Sequence, residues 1–118
     1  MTDPLSKVRE AALELPETSE KLSHGQPSFF VAGKQFAQFR DNHHGDGKPV
    51  VCVRVSSPDE QAMLLEADPE TDSTPAYMPS WLSISITGDA VDWDHVADRI
   101  ATSWELAAPR RLLEAGGR

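Results

Sequence analysis

The sequence has one cysteine, Cys52, in 118 residues, so no internal disulfide can staple the fold. No apolar run approaches the ~18 residues of a membrane span. The segment Met1-Thr2-Asp3-Pro4-Leu5 lacks a basic stretch followed by an apolar one, so no secretory leader is expected and a reducing, cytoplasmic setting is. Bases are scarce, eleven against nineteen acids, for a formal net charge of −8. That sign disfavours a general binder of nucleic acid or anionic membrane, because both repel it at long range. What is present, 39% hydrophobic and 25% charged residues, matches an ordinary globular chain, and residues 1–118 are expected to form a single domain.

Asp3-Pro4 reads as a helix start, an N-cap followed by proline at the first position, and Leu5, Val8, Ala12 and Leu15 recur at helical spacing up to Pro16. Residues 17–26 are polar and hold Gly25, which predicts a loop. Ser28–Ala32 and Gln35–Phe39 flank Gly33-Lys34 and predict a β-hairpin. Phe36 and Phe39 are three apart, a spacing that cannot share one face of a regular strand, so an irregularity is expected nearby. After a polar loop to Pro49, Val50–Val55 is the clearest strand. Ser57-Pro58-Asp59-Glu60 predicts a capped helix that stops at Asp68-Pro69. A long connection, a strand over Trp81–Thr87 with Leu82, Ile84 and Ile86 inward, and a helix from Asp92 to Pro109 complete the chain, leaving Arg110-Arg111 in a fraying tail. The order predicts a two-layer α+β domain with a mainly antiparallel sheet and flanking helices.

Five stretches, in order, resemble the MmcQ/YjbR family: Leu13-Glu14-Leu15-Pro16-Glu17-Thr18-Ser19-Glu20-Lys21, then His24-Gly25-Gln26-Pro27-Ser28-Phe29, Gly33-Lys34-Gln35-Phe36-Ala37, Leu65-Glu66-Ala67-Asp68-Pro69-Glu70, and Val91-Asp92-Trp93-Asp94 leading to Ala107-Ala108-Pro109-Arg110-Arg111. The resemblance implies a CyaY-like α+β fold and a DNA-binding role through a double wing of β-hairpins. The chain departs from the family pattern after Asp-Pro-Glu, where Thr71-Asp72-Ser73 replaces an aromatic or bulky apolar pair. That bears on the packing before Tyr77 rather than on the fold.

Charge is unevenly placed. Residues 59–98 hold ten acids and no lysine or arginine, whereas residues 21–58 hold Lys21, Lys34, Arg40, Lys48 and Arg54 against Asp41 and Asp46. A local basic patch can contact phosphate within a Debye length despite the total charge. Under the DNA reading, Lys34, Lys48, Arg54, Arg110 and Arg111 are the expected contacts, in a weak, salt-sensitive mode. The plainer reading is that scattered surface lysines only solubilise the hairpin.

A second reading is a small-ligand or metabolite binder, resistance-associated, using His24, Tyr77 and Trp81. A third is a module whose acidic half recognises a basic protein partner. His43-His44-Gly45-Asp46 with His24 lacks a recognised ligand spacing, so no metal or other cofactor is expected. His24 beside Ser23 or Ser28 lacks a third orienting group, so no enzyme is expected. Cys52 among valines reads as a buried, inert thiol.

Overall fold

A computed structural model describes residues 3–41, 49–75, 78–88 and 90–115. Its elements are α1 (Pro4–Leu13), β1 (Thr18–Ser23), β2 (Gln26–Val31), β3 (Lys34–Arg40), β4 (Val50–Arg54), α2 (Pro58–Ala67), β5 (Asp72–Ser73), β6 (Trp81–Ser85), α3 (Trp93–Ala107) and α4 (Arg110–Glu114). The six strands form one antiparallel sheet in the order β1-β2-β3-β4-β6-β5. This is the α+β architecture expected from the sequence, with helices packed on one side of the sheet.

The helix starts follow from their caps. Asp3 Oδ1 accepts the Ser6 amide at 2.9 Å, Ser57 Oγ accepts the Glu60 amide at 3.1 Å, and Asp92 Oδ1 accepts the His95 amide at 3.1 Å. The reciprocal half of the α2 box closes on Ser56 rather than Ser57, whose side chain alone serves the cap: the Ser56 amide donates to Glu60 Oε1 at 2.8 Å. That bond holds the Glu60 carboxyl below its ordinary pKa.

Three expectations are corrected. Residues 18–23 are a strand, not a loop, and form the sheet edge beside β2. An edge strand buries little, so Thr18–Ser23 needs no apolar alternation, and its polar composition concealed it. Within the long connection, Asp72 and Ser73 pair with Ile84 and Ser83 as a short second edge. Arg110–Glu114 is a helical turn anchored by the buried Leu112 rather than a frayed tail.

Both hairpins close through two-residue loops, His24-Gly25 between Ser23 and Gln26, and Ala32-Gly33 between Val31 and Lys34. All four loop residues have positive φ, the backbone of the mirror-image turn that matches strand twist. The turn therefore falls one residue before Gly33-Lys34, and Lys34 opens β3.

The irregularity expected around Phe36 is a bulge. Phe29 pairs with Ala37 while the next residue, Phe30, pairs with Gln35, so Phe36 is the extra residue. Phe36, Ala37 and Phe39 can then all join the core, which also takes Phe29, Val31, Val51, Val53, Leu82 and Ile84 from the strands and Ile86 just after β6. Val8 and Ala12 of α1, and Val96, Ile100 and Trp104 of α3, close it from the helix side. Leu64 and Leu65 bring α2 against the same core. Trp104 is fully buried, and its indole Nε1 donates to Pro16 O at 3.0 Å, locking α3 to the end of α1.

Candidate nucleic-acid interface

Directly paired residues share a sheet face, so the register sorts every strand residue. Val51, Val53, Leu82 and Ile84 face the helices, and their neighbours face the other way. One row on that second face crosses all six strands: Lys21, Ser28, Gln38, Cys52, Ser83 and Ser73. Flanking rows add Phe30, Gln35, Arg54 and Trp81 toward one end, and Arg40, Val50 and Ser85 toward the other. The strands thus give this face three cations, Lys21, Arg40 and Arg54, and no carboxylate. The acids of the strands fall on the helix side, where Glu20 is held by Arg9 through two bonds of 2.7 and 2.8 Å and Asp72 lies opposite Ile84.

Two cations lie over aromatic rings. Lys21 Nζ is 4.6 Å from the Phe30 ring centre, and the Arg54 guanidinium carbon is 4.9 Å from that of Trp81. Arg54 Nε donates to Gln35 O at 2.7 Å, which fixes the guanidinium plane without using the two terminal nitrogens. The middle of the face is a hydrogen-bonded polar network. Arg40 Nε donates to Gln38 Oε1 at 2.8 Å, and Gln38 Nε2 donates to Ser28 Oγ and Ser23 O, both at 3.2 Å. Arg40, Gln38, Ser28 and Ser83 are all buried. Cys52 is buried among them, and loss of solvent pushes its thiol pKa up, only partly opposed by the charge of Arg40 and a hydrogen bond with Ser83. The thiol is protonated at neutral pH, as the inert reading expected.

Beside the Arg54–Trp81 pair, a cleft of about 490 Å³ opens toward the start of α2. Gln61 Nε2 shapes its wall by donating to Pro79 O and Trp81 O, both at 2.8 Å.

The structure regroups the residues expected from the sequence. Arg54 and Trp81 meet, although they were assigned to different readings. Lys34 is exposed at the same end of the sheet, beside Gln35, but its register with Val31 puts it on the helix side. Arg110 and Arg111 belong to the helix layer and face carboxylates: Arg110 Nε lies 2.7 Å from Glu114 Oε1, and Arg111 clamps Glu17 at 2.9 and 3.0 Å. The Glu17 carboxyl is held below its ordinary pKa by that clamp. His24 occupies the β1–β2 turn, while Trp81 stands at the other end of the strands. The ends are about 17 Å apart along the five steps of β1, so His24 and Trp81 do not form one ligand site. Lys48, Tyr77 and the His43-His44-Gly45-Asp46 stretch lie outside the described residues. Among the described residues, no three histidine, cysteine, aspartate or glutamate side chains converge on a metal-holding arrangement, and no helix is long and apolar enough to cross a membrane.

Sequence reasoning counted Lys21 and Arg40 as bases but did not place them on one face, and it missed Phe30 as a cation partner. Its omission of β1 hid the row that aligns them. The available signal was His24-Gly25, a two-residue turn between Ser23 and Gln26.

No curated protein matches the chain. Among solved structures, the crystal structure of Deinococcus radiodurans protein DR2400, with family-model domain DUF419, is similar with a TM-score of 0.71 at 16% identity, covering 86% of this chain and 76% of that one. At such identity the likeness speaks for the fold. The family model described as YjbR matches residues 13–106, well over half of the chain, and the chain belongs to that family.

Proposed function

We propose that the protein is a non-enzymatic DNA-binding module that holds backbone phosphates on the face of its sheet turned away from the helices. The observation that carries this reading is the charge sorting of that face: Lys21 is exposed on it and Arg54 half-buried, Arg40 is buried in its polar network, and no strand carboxylate faces that way. Phosphate contacts supply most non-specific affinity, and the two accessible cations, Lys21 and Arg54, suit them in a chain that is acidic overall. Phe30 and Trp81 hold the Lys21 and Arg54 head groups over their rings, which lowers the entropy lost when a phosphate is contacted. The reading agrees with the DNA role that the family resemblance implies, but it moves the contacts from Lys34 and the Arg110-Arg111 pair to the sheet face.

Fluorescence anisotropy of a labelled DNA duplex tests it. Binding at low salt is expected, with a log–log salt slope of about −2 for two phosphates. Lys21→Glu with Arg54→Glu should abolish it. Absence of binding at about 50 mM salt, where phosphate contacts are strong, would overturn the reading.

A further inference from the structure

We propose that the cleft between the start of α2 and the Arg54–Trp81 pair is a binding site for a small aromatic carboxylate. Its volume of about 490 Å³ falls within the roughly 300–1,000 Å³ of small-molecule pockets. Pro58, Pro79 and Trp81 give it flat apolar walls, and Ser57 and Gln61 are among its few polar groups. Among the described residues that line it, Arg54 is the one charged side chain, so the cleft favours an anion and matches a single negative charge.

Arg54 carries the inference beyond a surface cation. It is half-buried, its Nε donates to Gln35 O at 2.7 Å, and its guanidinium carbon lies 4.9 Å from the Trp81 ring centre. The group is therefore held in place before a ligand arrives. Its two terminal nitrogens make no hydrogen bond to the described residues and remain as a fork of donors, which a carboxylate meets with two parallel bonds. The Ser57 hydroxyl, whose oxygen accepts the Glu60 amide, keeps its proton as a further donor. The start of α2 adds a positive dipole end, but Asp59 and Glu60 already answer it in the first turn, so the charge preference rests on Arg54. A phosphomonoester fits less well, since it carries about two negative charges that one arginine does not balance. Proline rings and an indole suit the flat apolar body of an aromatic ring. The small-ligand expectation thus keeps Trp81 and loses His24.

The site shares Arg54 with the DNA reading but does not rest on it, and its test uses no DNA. A chain that binds DNA and no carboxylate loses this proposal alone; one that binds the carboxylate and no DNA loses only the DNA reading. Calorimetric titration of the full chain with 2-naphthoate should show saturable binding, about tenfold tighter than that of the neutral 2-naphthylmethanol, the scale of one charge-assisted hydrogen bond. Arg54→Gln should weaken naphthoate binding by about the same factor. Ser80→Trp, at an exposed lining position, should block the cleft without entering the core. Arg110→Glu, which reverses an exposed charge of the helix layer, should leave binding unchanged. No saturable binding at millimolar naphthoate, equal affinity for the neutral alcohol, or tighter binding of 2-naphthyl phosphate would overturn the proposal. So would undiminished binding by Arg54→Gln and Ser80→Trp, each folded by circular dichroism.

Discussion

The Ser103 hydroxyl in α3 donates to the carbonyl of Phe36, the extra residue of the β3 bulge, and accepts the Arg54 amide at 2.8 Å. A bulge takes its residue out of the ladder, and here one fully buried side chain replaces the lost partner. The same hydroxyl ties the end of β4 to the helix layer, just where Arg54 turns toward Trp81.

Ser103→Ala should therefore destabilise the protein by about 1–3 kcal/mol, since it leaves a carbonyl and an amide without their partner. Urea unfolding monitored by tryptophan fluorescence reads this directly. A midpoint equal to the wild type would mean that both groups find other partners.

Ala32 sits at φ 48° in the β2–β3 turn, a conformation that costs a non-glycine residue about 1 kcal/mol. Ala32→Asn, which restores the Asn-Gly pair preferred in this turn, is expected to raise the melting temperature. Calorimetry should show the rise without any change in far-ultraviolet dichroism.

Arg110→Ala with Arg111→Ala should leave DNA affinity within about twofold, because surface ion pairs of this kind contribute little and both arginines lie in the other layer. Arg54→Ala should weaken it several-fold more. Anisotropy titrations of the two variants side by side separate the sheet face from the C-terminal helix as the contact surface.

Asp72 predicts an unusual pH dependence. Burial, reinforced by the nearby charge of Asp68, raises its pKa against the opposing pull of His95 and Arg99. The folded state then holds the proton more tightly than the unfolded chain, so ionisation above the ordinary aspartate range subtracts from stability. Asp72→Asn should accordingly stabilise the fold at pH 7, with the gain vanishing in acid below about pH 3.5, where both states are protonated. Melting temperatures measured across pH check the sign.

Much of the fold was legible because local signals agreed with the global one. Asp3-Pro4, Ser57-Pro58 and Asp92 mark helix starts by side-chain chemistry alone, and the spacing of Phe36 and Phe39 exposed the bulge before any pairing was known. β1 was not legible, since an edge strand of Thr, Ser, Glu and Lys has no apolar period to read. The candidate site suffered more than the fold. Lys21, Phe30, Gln38, Arg40, Arg54 and Trp81 are scattered over six tens of sequence, and only the register gathers them. Charge counts could find the basic stretch but not its face. Asp72 looked like one acid among ten, and its burial depends on a two-residue strand that no propensity announces.

Lys21, Arg40 and Arg54 on one face of the sheet, with the strand acids Glu20 and Asp72 on the other, give the strands of this acidic molecule a charge asymmetry from face to face. In the field of a polyanion it is repelled as a whole and turned at the same time, so it arrives with the sheet foremost. Between its own copies the same asymmetry favours sheet-to-helix stacking as ionic strength falls. Its light scattering at low salt should then carry an attractive component that the net charge alone would not suggest.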